Sequence, residues 1–307
     1  MTQTNAGQTL YQETLRNPGT DRGFCVQRLQ PERTGANQGM KDMTTKARHT
    51  LIAATSAVLL VSAGSGLQAQ SLSEGWEGYI GIGASSAPTF SGSDETKAGV
   101  AVDVDLTWNQ RVFLRSDAGV GFYALNGERS GSPLTLGFGI GYDFDERLAV
   151  DDARLTGLTD IESGATFNAF LEYELGLADL EVLASRGLGS SGHEGTTVEF
   201  SIGFDLPVSD RTIVSISPFA TWADDTYTSA FYGVSAAESL ASGYGPYTAG
   251  AGLMEAGLEV TAVHFLNDSF GLLGQVEYSN LLGDAQDSPL TFQDDALEVA
   301  VGVLYRF

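Results

Sequence analysis

The chain closes on EVAVGVLYRF, residues 298–307. Val299, Val301, Val303, Tyr305 and Phe307 are large and apolar, whereas Ala300, Gly302, Leu304 and Arg306 between them are mostly small or polar. Successive side chains of a β-strand point to opposite faces, so this stretch makes a strand with one greasy side. A soluble domain seldom leaves such a strand unpaired at its end.

Upstream the same device recurs. In VAVDVDLTW (100–108), Val100, Val102, Val104, Leu106 and Trp108 share one face against Ala101, Asp103, Asp105 and Thr107. Leu134, Leu136, Phe138, Ile140, Tyr142 and Phe144 alternate with Thr135, three glycines and Asp143; Val198, Phe200, Ile202, Phe204 and Leu206 alternate with Thr197, Glu199, Ser201, Gly203 and Asp205. A soluble sandwich or lipocalin-like barrel points its apolar face inward, and an outer-membrane barrel points it at lipid and keeps a polar lumen. Periodicity alone leaves both open.

Three observations choose the membrane barrel. Alternation persists for ten or more residues, close to the roughly 9–11 a tilted strand needs to cross a bilayer and longer than the roughly 5–6 typical of soluble sheets. Aromatics such as Trp76, Trp108, Tyr142, Phe144, Trp222, Tyr305 and Phe307 fall near strand ends, as an interfacial girdle requires. Short connections at 109–110, 177–179, 207–210 and 266–268 contrast with long polar ones at 85–96, 126–132, 187–195, 224–247 and 282–294. Short on one side and long on the other describes periplasmic turns and external loops.

Eleven strands are legible, beginning near Trp76, Lys97, Arg111, Pro133, Gly164, Asp179, Thr196, Arg211, Ala249, Phe270 and Asp295. A twelfth within 146–161 would place every short turn and both termini on the periplasmic side and make the count even. The fold expected is therefore an all-β, transmembrane antiparallel β-barrel of twelve strands over 76–307, with ten as the alternative count. The longest external loop then follows Asp224.

Composition agrees. Of 307 residues, 42% are hydrophobic, 38 are glycine and 8 proline, and no apolar run reaches the roughly 18 residues of a membrane helix. The one cysteine, Cys25, has no partner for an internal disulfide. Residues 43–69 combine Lys46 and Arg48, an apolar segment over 51–61 and small residues up to Ala69, the layout of a secretory signal peptide. Residues 1–42, polar and aperiodic, read as an unstructured upstream extension from a misplaced start. Seven of the 16 basic and four of the 39 acidic residues lie before residue 71, which leaves 9 and 35 and a net charge of −26. Such a polyanion is repelled by phosphate backbones, so nucleic acid is excluded as a partner.

The residues assembled so far resemble the MipA/OmpV family of outer-membrane proteins, named for an interaction with a murein lytic transglycosylase. The likeness spans about 76–307 and rests on PTFSGSD (88–94), LTGLTDIESG (155–164), WADDTYTSAFYGVS (222–235), SGYGPYTAGAGL (242–253) and LLGDAQDSPL (281–290). The loop after Val234, SAAESLASGY, departs from the family's form. The resemblance implies a cell outer membrane location among lipid and lipopolysaccharide, and a structural or scaffolding role linking a murein hydrolase with a murein synthase in the periplasm. It also implies that the last strand is a signal for the barrel-assembly machinery, with Gly302, Tyr305 and Phe307 at the matching positions and Ala300 where a polar residue is usual. An apolar edge strand invites pairing, which is what a folding catalyst needs.

Catalysis finds little footing. His193 sits in SSGHEG beside Ser191 and Glu194, and adjacent residues on one loop rarely hold triad geometry. His264 falls near a periplasmic strand end on the apolar face, where it reads as an interfacial anchor. No phosphate loop, cysteine metal site or histidine metal spacing is present, so no enzyme, cofactor or metal is expected. Acidic loop residues such as Asp94, Glu95, Asp224, Asp225, Asp284 and Asp287 lack the spacing of a cation cage.

The inward acids are the remaining candidates: Asp103, Asp105, Asp117, Asp143, Glu172, Glu174, Glu199 and Asp205, with Glu277. In a wet lumen they favour cations, which gives a second reading, a narrow cation-preferring pore. In a plugged, glycine-rich barrel the same side chains are simply hydrated or hydrogen-bonded.

Overall fold

In the computed structural model the described residues are 75–189 and 192–307, together with the backbone of 52–54. The expected upstream extension and all but those three residues of the expected signal peptide lie outside them.

Twelve antiparallel strands form one sheet that closes on itself. In chain order they are β1 (Trp76–Pro88), β2 (Thr96–Trp108), β3 (Val112–Arg115), β4 (Gly119–Leu125), β5 (Leu134–Asp143), β6 (Gly164–Glu174), β7 (Ala178–Leu188), β8 (Thr196–Ser209), β9 (Thr212–Ala223), β10 (Gly252–Phe265), β11 (Phe270–Leu281) and β12 (Asp295–Arg306). Each pairs with its neighbours in sequence, and β12 returns to β1 from Val299 opposite Ser86 to Arg306 opposite Tyr79. The terminal strand of the opening quotation is thus the seam that shuts the barrel. The segment Ile52–Ala54 lies antiparallel along Val100–Val102 of β2.

The twelfth strand is not where the spacing of turns places it. Residues 146–161 form an external loop with one 3₁₀ turn, Ala153–Leu155, and a single bridge from Arg147 to Ile161. The extra strand arises instead because the stretch read as one strand from Arg111 is a short hairpin, β3 and β4. Gly119, at φ +73°, supplies the left-handed residue that lets the chain reverse. Val112 faces Phe122 and Leu114 faces Val120 across the hairpin, so even-numbered positions stay outward through the turn and the alternation never loses phase. That continuity hides the reversal. In consequence the 126–132 connection, expected outside, lies at the periplasmic end and carries α1 (Gly127–Ser130), capped by the Asn126 side chain accepting from the Arg129 N–H at 2.8 Å.

The outer wall is apolar and open to its surroundings. Ile82 and Val301 are 58% and 60% exposed, in the company of Val120, Ile140, Leu272 and Val303. A continuous apolar surface of this extent is unstable against water and stable against lipid. Aromatics bound it at the periplasmic edge: Trp76 stands opposite Trp108, and the Tyr305 ring lies about 5 Å from those of both Phe270 and Phe307. At that edge Asn109 and Gln110, at φ +50° and +52°, make the tight turn between β2 and β3.

Inward, glycine makes room for rings. A Cβ on Gly137 would stand 2.3 Å from Cζ of Phe170, and one on Gly121 would stand 2.3 Å from Cζ of Phe113. Phe113, Phe170 and Tyr123 pack edge to face in the space so provided. Gly137→Val is expected to destabilise the barrel by at least about 1–3 kcal/mol through overpacking, read as a lower temperature for the shift from folded to unfolded mobility on a gel; an unchanged transition would show that Phe170 has room to move.

Candidate functional site

The lumen is built in layers, beginning at the periplasmic end. Tyr79, Ile213, Val263, Phe265, Leu273 and Leu304 point inward from β1, β9, β10, β11 and β12 and form one buried apolar cluster. Burying side chains of this kind contributes about 1.5–3 kcal/mol each, and the cluster forms an apolar plug inside the periplasmic end of the barrel along five adjacent strands. Arg306 covers it, its guanidinium 4.9 Å from the Phe265 ring centre.

Above the plug lies a charge layer. Arg115, 2% exposed, ends β3 and donates through Nε and Nη2 to both oxygens of Asp117 at 3.0 and 2.9 Å, to Glu181 at 3.2 Å and to Glu172. Its guanidinium lies 4.2 Å over the Phe170 ring. A planar five-donor group can grip one carboxylate by both oxygens and still serve others, a fixed fork that a lysine ammonium lacks. Beside it the Tyr79 hydroxyl donates to Asp103 at 2.8 Å, with Asp105 buried next along β2.

The third layer is an acidic cavity of about 360 Å³. Glu199, Glu255, Glu259, Glu277 and Glu298 line it with the hydroxyls of Ser217, Thr221 and Ser279. Gln275 and Thr261 donate to Glu259, the latter at 3.1 Å.

The external mouth is covered by α2 (Asp225–Tyr232), capped by Asp224 accepting from the Tyr227 N–H at 2.9 Å. Tyr227, Phe231 and Tyr232 point down into a cluster with Ile161, Met254 and Leu281. His193 joins them: its Nε2 lies 2.7 Å from Asp143 Oδ2 and its ring 4.6 Å from that of Tyr227. Arg147 holds the helix end by donating to the carbonyls of Phe231 at 2.5 Å and Thr159 at 3.1 Å. The second helix of this loop, α3 (Ala236–Ser242), begins with a reciprocal cap between Ser235 and Glu238. Glu238 also accepts from the Thr159 N–H at 2.9 Å. Partial burial works against its charge, but the hydrogen bonds from Ser235 and Thr159 outweigh that and bring its pKa down to about 2. After β11, α4 (Gly283–Gln286) supplies Asp284, which accepts from the Gly250 N–H at 2.7 Å.

Of the acids expected inside, Asp117, Asp143 and Glu199 line the cavity and Glu277 does too. Asp103, Asp105 and Glu172 lie lower, in or beside the charge layer. Asp205 accepts from Ser215 at 2.6 Å, and Glu174 ends β6 exposed at the periplasmic rim. Glu181, Glu255, Glu259 and Glu298, which sequence reasoning passed over, complete the wall. Their parity was available, since Glu255 and Glu259 alternate with the outward Leu258 and Val260. The apolar plug had a signal as well: adjacent apolar pairs at Ile213-Val214 and Leu272-Leu273 put grease on both faces of one strand end. His193 is brought to Asp143, and Ser191 lies outside the described residues. His264 stays exposed at the rim, its Nδ1 2.9 Å from the Thr212 hydroxyl. Among the described residues no three His, Cys, Asp or Glu side chains gather closely enough to hold a metal ion. Gly302 lies opposite Gly83, and Tyr305 and Phe307 point outward at the seam's periplasmic end.

With this geometry in hand, the profile of the MltA-interacting protein MipA family matches residues 80–307. The chain belongs to that family. Among curated protein sequences none matches it. Solved structures with a similar arrangement include OmpT of Vibrio cholerae, 10% identical over 75% of this chain and 97% of that one with a TM-score of 0.33. A bacterial polysaccharide outer membrane secretin is 12% identical over 75% and 98%, TM-score 0.36, and Salmonella typhi OmpF in complex with daunomycin 11% over 75% and 97%, TM-score 0.31. The lipid-facing wall and the family together place this MipA-family barrel in the outer membrane.

Two outcomes follow from the layers. Arg115→Met leaves three carboxylates facing one another and is expected to cost about 3–5 kcal/mol, seen as a lower urea midpoint in detergent; a midpoint within error of the parent would show the acids stable without their cation. Glu238, whose folded pKa is depressed, stabilises the external loop above the ordinary carboxylate range and ceases to as pH falls through about 2. Amide exchange at Thr159 should therefore accelerate between about pH 4.5 and 2 in the parent and be fast throughout in Glu238→Gln; equal rates in the two at neutral pH would refute the assignment.

Proposed function

We propose that this barrel is a structural interaction protein, which holds a murein hydrolase, of the lytic transglycosylase class, and a murein synthase at its periplasmic face. The observation that carries the reading is the apolar plug of Tyr79, Ile213, Val263, Phe265, Leu273 and Leu304 across the periplasmic end of the lumen. A barrel so closed presents a surface to the periplasm rather than a passage. On that surface the 126–132 connection with α1 is the largest excursion, beside the exposed Leu177 and Val208 of neighbouring turns. The family's name, MltA-interacting protein, supports the same class of partner. Lipopolysaccharide around the external rim, and a barrel-assembly machinery reading the strand that ends in Gly302, Tyr305 and Phe307, are the other partners this reading includes. Catalysis by the barrel itself has no part in it.

A narrow cation-preferring pore is the second reading, favoured by the acids around the cavity. The plug counts against it, because ions would have to cross a buried apolar layer.

Purified protein in planar bilayers should be silent, and affinity capture from envelope extracts should recover murein-cleaving and murein-synthesising enzymes. Replacing 126–132 with a two-residue turn should reduce that recovery at least several-fold while leaving heat-modifiable gel mobility intact. Steady cation-selective conductance would support the pore, and capture indifferent to the loop would remove it as the docking element.

A further inference from the structure

The barrel wall is incomplete in its outer half. β3 meets β2 only from Asp105 opposite Arg115 to Trp108 opposite Val112. β4 meets β5 no higher than Val120 opposite Ile140. Beyond that height no barrel strand pairs with the β3-side edge of β2 over 96–103, nor with the β4-side edge of β5 over 141–143, among the described residues. Two strands at about 4.7–4.9 Å spacing are thus cut to half height. The only backbone recorded in the opening is Ile52–Ala54, along Val100–Val102, and it belongs to the segment read as a signal peptide.

The cavity reaches the same opening. Its lining includes inward residues, Glu199, Glu259 and Glu277, and also Tyr142, on the outward face of β5, and Phe144, just past its end; their rings are 4.9 Å apart and they are 49% and 40% exposed. Ser116 and Asp117, at the tip of the short hairpin, line the same space, so the cavity lies directly against the gap above them. The lining is strongly one-signed, with twelve acidic residues and one base, Lys97. Within it Ser217, 5% exposed, presents an Oγ that has no hydrogen-bond partner among the described residues, a buried polar group of the kind that a ligand satisfies. Tyr227 and Phe231 of α2 roof the space.

We infer that the half-height β3–β4 hairpin leaves a lateral window in the outer half of the wall, through which the acidic cavity takes a cationic amphiphile from the membrane, its charged head among Glu199, Glu259 and Glu277 and its alkyl tail along Tyr142 and Phe144. Charge complementarity selects the head. The tail lies against aromatic rings and in lipid, so neither part meets the wrong medium, and the hydrocarbon stays out of water. An anion with the same tail meets like charge, and a cation without a tail gains nothing from the window.

The test uses protein extracted from outer membranes, with dodecyltrimethylammonium below its micelle concentration as probe and calorimetry as readout. One molecule should bind per barrel, with tetramethylammonium and dodecyl sulfate each at least tenfold weaker. Glu199→Gln combined with Glu277→Gln should weaken the probe at least tenfold. A probe brominated at the end of its tail should quench a Phe144→Trp reporter saturably, and a Leu272→Trp reporter on the distant outer wall only in proportion to concentration; this reading uses the unaltered cavity and stands even if the double variant fails to fold. Equal binding of tetramethylammonium would make this an aqueous cation site, equal binding of dodecyl sulfate would make it detergent partition, and equal quenching of the two reporters would place the tail elsewhere. Each of these results overturns the inference.

Discussion

A strand that crosses hydrocarbon must find partners for every backbone N–H and C=O, because lipid offers none. This requirement sets the whole architecture: it forces the sheet to close, makes the last strand pair with the first, and leaves side chains to decide only which way each face looks. In this chain closure is unequal. The seam between β12 and β1 runs for eight residue pairs, whereas that between β2 and β3 runs for four. Ser116 extends the weaker seam by one step, with its N–H donating to the Val104 carbonyl at 2.9 Å and its hydroxyl accepting from the Val104 N–H at 2.7 Å. Above it the ladder stops, and the edges there must be satisfied by something other than a barrel strand.

Closing twelve strands also creates an interior too wide for one side chain to span. The chain fills it in strata: apolar at the periplasmic end, ionic around Arg115, acidic and open in the middle, aromatic at the outer end. Each stratum solves a different problem. Grease excludes water where the lumen would leak; a single guanidinium gathers carboxylates that would otherwise repel one another; aromatic rings on a short helix give the external loops a shared core. The glycines that face inward on β4 and β5 are part of this filling, since Phe113 and Phe170 occupy the volume their missing side chains leave.

How far the sequence revealed this follows from what each face touches. Lipid is one solvent with one demand, so outward positions alternate cleanly and the barrel, its count of twelve strands and its rims are legible. The lumen has no single solvent, so inward residues range from Leu273 through Gly137 to Glu259 and carry no period of their own. Asp103, Glu199 and Glu277 were recognisable because each sits between apolar neighbours; the plug was not, because Val263 and Phe265 obey the wrong sign of the rule. The hairpin at 116–119 escaped for a subtler reason. Its turn preserves parity, and alternation reports which face a residue occupies but not the direction in which the chain is travelling. A strand was therefore sought in 146–161, where the charge and turn residues build a loop.

The segments that carry the family resemblance lie mostly beyond the strands, and the structure brings them together. Ser91 of 88–94 shares a 2.7 Å hydrogen bond with Tyr232 of 222–235; Ser288 of 281–290 donates to the Tyr232 carbonyl at 2.7 Å; Tyr247 of 242–253 donates to the Asp284 carbonyl at 2.7 Å. Gly157, at φ +88°, lies so close to Ala241 that a Cβ there would stand 2.7 Å from its carbonyl. Many sequences satisfy an alternating strand, and few satisfy a plug in which helix, caps and glycines must fit at once. The motifs that carry the resemblance therefore meet in the roof of the cavity rather than in its walls. The stretch that departs from the family, 235–244, forms α3 at the outermost rim, where Leu240 is 91% exposed, and is tied back by the Glu238 side chain on the Thr159 N–H and by the close approach of Gly157 to Ala241. The segments of resemblance thus meet at the underside of α2, facing the acids below.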